Sequence, residues 1–168
     1  YRYEQDVEEV DAGFDEHDIP YDVIWLDIEH TDGKRYMTWD STKFPTPERM
    51  INDIAEKGRK MVVIIDPHVK KDDKYPIFKE AESKQYYVKK NDKTTDFDGW
   101  CWPGSSMYLD VTNPDVRSWW ASKFALDSYK GSTPDLYVWN DMNEPSVFNG
   151  PEITMQKDLI HHGEVEHR

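Results

Sequence analysis

Apolar positions fall along the chain in short blocks, with helix-like and strand-like spacings in alternation. In residues 1–17, Val7, Val10 and Phe14 recur at i, i+3 and i+7, one face of a helical repeat. Asp18-Ile19-Pro20 ends that helix, because the residue before a proline avoids the helical region. Residues 21–27 (YDVIWLD) are β-branched and aromatic, of strand length, and end on an acid; they read as a buried strand. A polar loop through Asp32-Gly33 follows. Thr46 as N-cap and Pro47 at the first helical position then predict a second helix. Met50, Ile51, Ile54 and Ala55 form its apolar face, and Gly58 closes it. Residues 61–66 (MVVIID) are continuously apolar up to another acid, as suits a parallel strand covered on both faces. Residues 70–99 are charged and irregular, a long insertion with a short helical or strand-like piece at 76–88. Trp100-Cys101-Trp102-Pro103-Gly104 ends it. Asn113 as cap and Pro114 behind it predict a third helix over 113–129, and 136–140 (LYVWN) a third strand, followed by Asp141. The stretch after Phe148 reads as loop, with no closing strand.

This alternation predicts parallel βαβ units joined right-handed. A parallel barrel takes eight strands. The expected fold is therefore α/β, part of a (β/α)8 TIM barrel. Residues 1–168 would supply about three strands of its first half with flanking helices and an inserted loop at about 69–104. Such a piece is incomplete on its own, and the rest of the domain is expected outside this chain.

Composition narrows the function classes. With 21 basic and 34 acidic side chains the net charge is −13, which argues against nucleic acid and anionic membrane surfaces as partners. No apolar run approaches the length of a membrane span. Seven tryptophans and ten tyrosines are a heavy load of flat apolar faces, suited to a core and to stacking on sugar rings. Cys101 is the single cysteine, so no internal disulfide forms. Lying between two tryptophans with nothing basic beside it in sequence, it reads as a packed, inert thiol. Asp96, Asp98 and Gly99 fit three positions of a calcium loop, but Thr94 and Ser105 stand at both anchors. His161, His162 and His167 lack zinc-site spacing and read as solvated loop histidines.

The candidate chemistry lies at the strand ends. Asp27 closes the first strand, Asp66 the second, and Asp141 follows the third. In a parallel barrel the carboxyl-terminal strand ends form the reactive face, so three carboxylates would converge there. Any one of them alone reads as a turn or helix cap; the three together read as a site. Asp141 lies in YVWNDMNEP, where Trp139 offers a face for a sugar ring and Asn143 and Glu144 could hydrogen-bond the carboxylate or a neighbouring loop.

WNDMNEPSVF, at residues 139–148, closely resembles the W-x-D-M-N-E-P signature of glycoside hydrolase family 31. VIWLDIEH, VVIIDPH, WCWPG and DVTNP resemble further family segments in the family's order, so that the likeness spans about residues 21–150. It implies a retaining α-glucosidase with Asp141 as nucleophile. It further implies Asp27 holding sugar hydroxyls, with Ile28, Ile64, Trp102, Trp139 and Met142 lining the pocket, and Asp66, Asn143 and Glu144 supporting them. The general acid/base would come from a later part of the polypeptide. The chemistry implied by this resemblance needs no metal and no organic cofactor. The wording WLDIEH, DPHVK and YVWNDMNEPSVFNGPE is most similar to the branch that trims α-1,3-linked glucose from N-glycans in the endoplasmic-reticulum lumen. That implies an oligosaccharide or glycoprotein N-glycan as substrate. The implied protein partners are the remainder of the catalytic polypeptide and a smaller non-catalytic β subunit. A non-catalytic carbohydrate-binding barrel, or another family activity such as α-xylosidase, stays open as an alternative. Two places depart from the family pattern: Tyr108-Leu109-Asp110-Val111 precedes Thr112-Asn113-Pro114, and His68 stands where a small residue is common. His68 reads as a loop histidine, able to tune a neighbouring sugar subsite only if it points into the pocket.

Overall fold

A computed structural model describes residues 1–166. In chain order the elements are α1 (Glu4–Glu16), β1 (Val23–Leu26), α2 (Pro47–Glu56), β2 (Lys60–Ile64), β3 (His68–Lys70) and α3 (Pro76–Ser83). β4 (Asp98–Cys101), β5 (Gly104–Tyr108), α4 (Pro114–Ser122), β6 (Leu136–Trp139), β7 (Ile160–His161) and β8 (Val165–Glu166) follow. They divide into two compact units, residues 1–65 with 123–140, and residues 66–122 with 141–168.

The first unit is built on a parallel sheet in the order β1-β2-β6. Trp25 pairs with Val62, and Ile64 with Trp139. β2 is the central strand, and its last four residues, the apolar MVVI, are buried. The first strand departs from expectation: it alternates, with Val23 at 37% and Trp25 at 50% exposure, and only Ile24 and Leu26 buried. α2 turns Met50, Ile51 and Ile54 inward, each a burial of about 1.5–3 kcal/mol relative to exposure. Gly58, at φ +76, makes the left-handed turn from α2 to β2 that a side chain would resist.

Thr46 stands at the N-cap of α2, but its side chain does not cap. Its hydroxyl donates to the buried Glu4, which also accepts from Thr46 N at 2.8 Å and Arg49 Nη2 at 3.1 Å. A charged acceptor with three donors outcompetes a neutral cap. Asp11 and Asp15 on α1 similarly hold Lys57 and Arg59 just past α2, and the Arg59 guanidinium lies 4.2 Å above the Tyr21 ring.

The second unit holds an antiparallel sheet in the order β3-β5-β4. The insertion is thus an ordered structure and not an irregular loop. Trp102-Pro103 forms the two-residue turn of a β4–β5 hairpin, whose Cys101 and Gly104 are paired. Val69, Tyr75, Phe78, Tyr87, Met107 and Trp119 belong to one core cluster. Val88, Phe97, Tyr108, Val147, Met155 and Leu159 form another. The segment after Phe148, expected as loop, ends in the short antiparallel pair β7–β8.

α4 begins as its cap predicts, with Asp115 N donating to Asn113 Oδ1 at 2.9 Å. It stops at Ser122, well short of 129. Ser122 Oγ donates to the Trp119 carbonyl at 2.6 Å, a local bond that competes with continuing the helix. Within the first unit Tyr129 is buried and stacked on Trp39, with ring centroids 6.3 Å apart. Tertiary packing of this kind overrides helical propensity.

Candidate active site

The carboxyl-terminal ends of β1, β2 and β6 lie along one edge of the parallel sheet, since all three strands run the same way. Asp27, Asp66 and Asp141 follow those ends in sequence. Asp27 and Ile28 begin a 3-10 turn over Ile28–His30. Asp27 is exposed, and its Oδ1 accepts the Ile28 N–H at 2.7 Å, so one oxygen does serve as a cap. Ile28 and Ile64 are buried. Trp139 is half-buried beside Ile64 and meets Trp25 edge to face at 5.5 Å.

Two histidines that the sequence reading undervalued are buried here. In the first unit, His30 is 1% exposed, and its Nδ1 lies 2.7 Å from the Asp27 carbonyl oxygen. A carbonyl only accepts, so Nδ1 carries the proton. Burial pushes the His30 pKa down to about 4, which keeps the ring neutral. In the second unit His68 is 0% exposed and lies in β3; it is not a loop residue. Burial also pushes its pKa down to about 4. Its Nε2 lies 3.5 Å from Asp66 Oδ2 and its Nδ1 3.5 Å from Cys101 Sγ. Cys101 therefore has a neutral imidazole beside it in space, though nothing basic flanks it in sequence. The thiol stays a thiol, because burial raises its pKa, and it donates to the Ser146 carbonyl at 3.4 Å.

His68 also stacks on Trp102 at 5.7 Å and 17°. Trp102 is half-buried and meets Phe148 edge to face at 4.7 Å. His68 thus connects the buried Asp66 with Trp102. Asp141 and Met142 are partly exposed, and Met142 adopts the left-handed φ of +54. That conformation costs a side-chain-bearing residue about 1–2 kcal/mol. Met142 O accepts from Ser146 N at 3.1 Å, and Ser146 O accepts from Tyr108 Oη at 2.6 Å, which closes residues 142–146 into a turn anchored on β5. Asn143 Nδ2 donates to the backbone carbonyl of Asp141 at 2.8 Å, not to its carboxylate, so the expected donation to the acid is corrected. Glu144 is exposed, ahead of a cis bond to Pro145.

Asp110, noted only as a departure, is buried. It accepts from Thr112 Oγ1 at 2.6 Å, from the His162 backbone N–H, and lies 3.1 Å from His161 Nδ1. Burial pushes its pKa up, but these partners outweigh it and hold the carboxyl below its usual value. The calcium-loop acids are paired with cations: Asp96 with Lys89, and Asp98 with Lys90 at 3.1 Å. Among the described residues no group of three His, Cys, Asp or Glu is arranged to hold a metal, and His167 lies outside them. No helix among them is long and apolar enough to cross a membrane.

The sequence profile of the glycosyl hydrolases family 31 TIM-barrel domain matches residues 1–168. A protein of Oryza sativa subsp. japonica named "Probable glucan 1,3-alpha-glucosidase" is 66% identical over 169 residues, covering 100% of this chain and 18% of its own length. Neutral alpha-glucosidase AB is 66% identical in Dictyostelium discoideum and 59% in Homo sapiens, with the same coverage of both chains. Among solved structures, the ER glucosidase II complex of catalytic subunit and regulatory-subunit binding domain superimposes with a TM-score of 0.96 at 51% identity. That match covers 99% of this chain and 18% of the solved one. The chain thus spans about a fifth of the length of these relatives.

Proposed function

We propose, taking as premise that this chain belongs to glycosyl hydrolase family 31, that it supplies the nucleophile of a retaining α-glucosidase. The observation that carries this reading is the signature WNDMNEPSVF, with Asp141 partly exposed two residues beyond β6. A nucleophile needs an ionised, reachable oxygen at a defined place. The turn that follows Asp141, tied to Tyr108 through Ser146, supports such a fixed place.

In the first step an Asp141 oxygen attacks the anomeric carbon, and the bond to the leaving oxygen breaks. An acid from another part of the polypeptide gives its proton to that oxygen. In the second step the same group takes a proton from water, which attacks the anomeric carbon and releases Asp141. Two inversions leave the configuration retained. Asp27 holds hydroxyls of the glucose ring, with Ile28, Ile64, Trp102, Trp139 and Met142 around it. Asp66, Asn143 and Glu144 support the walls.

The finer assignments rest on the likeness to the named relatives. The fold is the first half of a (β/α)8 barrel, with its insertion at about 69–104. The substrate is a terminal α-1,3-linked glucose on an N-glycan, as the glucan 1,3-alpha-glucosidase name and the glucosidase II match suggest. The partners are the remainder of the catalytic polypeptide and a non-catalytic subunit, and the compartment is the endoplasmic-reticulum lumen. The test uses the full polypeptide that carries this chain, treated with a fluorinated α-glucosyl fluoride and mapped by mass spectrometry. A glycosyl label on Asp141 is expected. Label on another carboxylate, or sugar binding with no label at all, overturns the assignment.

A further inference from the structure

The peptide group that follows Asp27 is clamped on both sides. Its N–H, on Ile28, donates to Asp27 Oδ1 at 2.7 Å. Its carbonyl accepts from His30 Nδ1 at 2.7 Å. Rotation about the Cα–C bond of Asp27 would break both bonds together, so the pair fixes the backbone from which the carboxylate projects. The imidazole is itself fixed. Its ring lies 4.8 Å from Trp39 and 6.5 Å, edge on, from Phe44. Its backbone carbonyl accepts from Asp40 N at 2.8 Å. One residue on, Thr31 Oγ1 donates to the Ile28 carbonyl at 2.7 Å and closes the same turn a second time.

A buried histidine with one backbone partner is ordinarily a packing residue. Two features set this one apart. Its single hydrogen bond goes to the carbonyl of the residue assigned to grip substrate. Its other nitrogen, Nε2, is buried with no hydrogen-bond partner in the structure. A ring serving packing alone could be carbon at that position, with no lone pair removed from water.

We infer that His30 is a positioning residue for Asp27, holding through its Nδ1–H the peptide group that aims the Asp27 carboxylate at the substrate hydroxyls. This rests on the role given to Asp27 under the proposed function. The ring never touches sugar and exchanges no proton with it.

The test uses the full polypeptide and compares three variants. His30→Asn keeps a donor the same number of bonds from Cα as Nδ1. His30→Gln moves the donor one bond outward. His30→Phe keeps the ring contacts and removes the donor. Each is assayed with an aryl α-glucoside and with the series of its monodeoxy analogues. Wild type is expected to discriminate most strongly against the analogue that lacks the hydroxyl held by Asp27. His30→Gln and His30→Phe are expected to lose kcat/KM on the order of 10–100-fold on the parent glucoside, the scale of a small misplacement of a binding group. They lose the discrimination against that one analogue as well, while His30→Asn retains most of both. If Phe does not fold, the Asn and Gln pair carries the comparison. Equal behaviour of Asn and Gln, or retained discrimination in a folded Phe variant, overturns the inference. Asp27→Ala is run alongside. Unchanged discrimination there removes the role of Asp27 itself, a failure separate from that of His30.

Discussion

Gly131 leaves little room for a side chain beside Trp39 and Pro47 in the first unit. Its φ is +83, and a Cβ there would stand 2.7 Å from Trp39 Cδ1 and 2.8 Å from both Trp39 Nε1 and Pro47 Cγ. Trp39 cannot step aside freely, because it packs between His30, Phe44 and Tyr129. In Gly131→Ala the left-handed backbone costs about 1–2 kcal/mol and the overpacking about 1–3 kcal/mol. The lower entropy of the unfolded chain returns about 0.4–1 kcal/mol. The net is a loss of about 1–5 kcal/mol. Gly13 is the natural control, since it lies inside α1 and a Cβ there meets nothing within 4 Å. Gly13→Ala should gain about 0.5–1 kcal/mol from helix propensity alone. Hydrogen exchange of peptides covering residues 4–16 and 36–50, in the full polypeptide, reads the local opening free energies. Opposite signs at the two sites are expected. A Gly131→Ala variant within 0.5 kcal/mol of wild type would refute the packing argument, because Trp39 and Pro47 would then have yielded at no cost.

The two buried histidines give a pH signature. Both have pKa values pushed from 6.5 down to about 4, so their contribution is fully present above about 6.5 and is lost as pH falls towards 4. That shift corresponds to about 3 kcal/mol for each. The carboxylates of Asp15, Asp40 and Asp92 are held at about 2 and lose their contribution only below about 3.8, outside that window. Denaturant midpoints that stay level from pH 7 to pH 4.5 would contradict the neutral, buried state of both rings. Cys101, buried and with its pKa raised, should react with an aromatic disulfide only after unfolding; fast labelling of the native protein at pH 7 would show the thiol to be accessible. Asp110→Asn keeps the shape but loses the charge facing His161 and His162. It should speed exchange across residues 159–166 by the equivalent of about 1–3 kcal/mol, and unchanged protection there would deny Asp110 that anchoring role.

Much of the secondary structure was legible where its signals are local. The MVVI run of β2 and Pro47 at the start of α2 in the first unit, and the Asn113-Pro114 cap in the second, each act within a few residues, and each is where the pattern put it. The errors come from contacts made at a distance in sequence. Thr46 is diverted from its cap by Glu4, 42 residues away. Tyr129 packs on Trp39, far away in sequence, and not in a longer α4. The insertion read as loop because its strands are short and carry Gly, Ser, Trp and His, with no apolar run; only the pairing of β4 with β5 across the Trp102-Pro103 turn, and of β3 with β5, makes them strands. Asp27, Asp141 and the tryptophans became candidates through the sequence motifs. His30 and His68 were not legible, because a histidine in sequence carries no mark of whether its ring is buried or what faces its nitrogens.

The division of the chain bears on how such a protein can change over evolutionary time. Asp66 and Asp141 are each the first residue after a crossing from one unit into the other, whereas Asp27 stays in the unit that holds the parallel sheet. The register of that sheet is fixed entirely by β1, β2 and β6. Residues 66–122 contribute no strand to it, so lengthening, shortening or rewriting them leaves the alignment of the three strands untouched. Changes around Trp102 and His68 can therefore accumulate without a matching set of changes in the parallel strands. Changes near His30, Trp39 or Gly131 have less freedom, because these residues pack on one another within the unit that holds the sheet and Asp27.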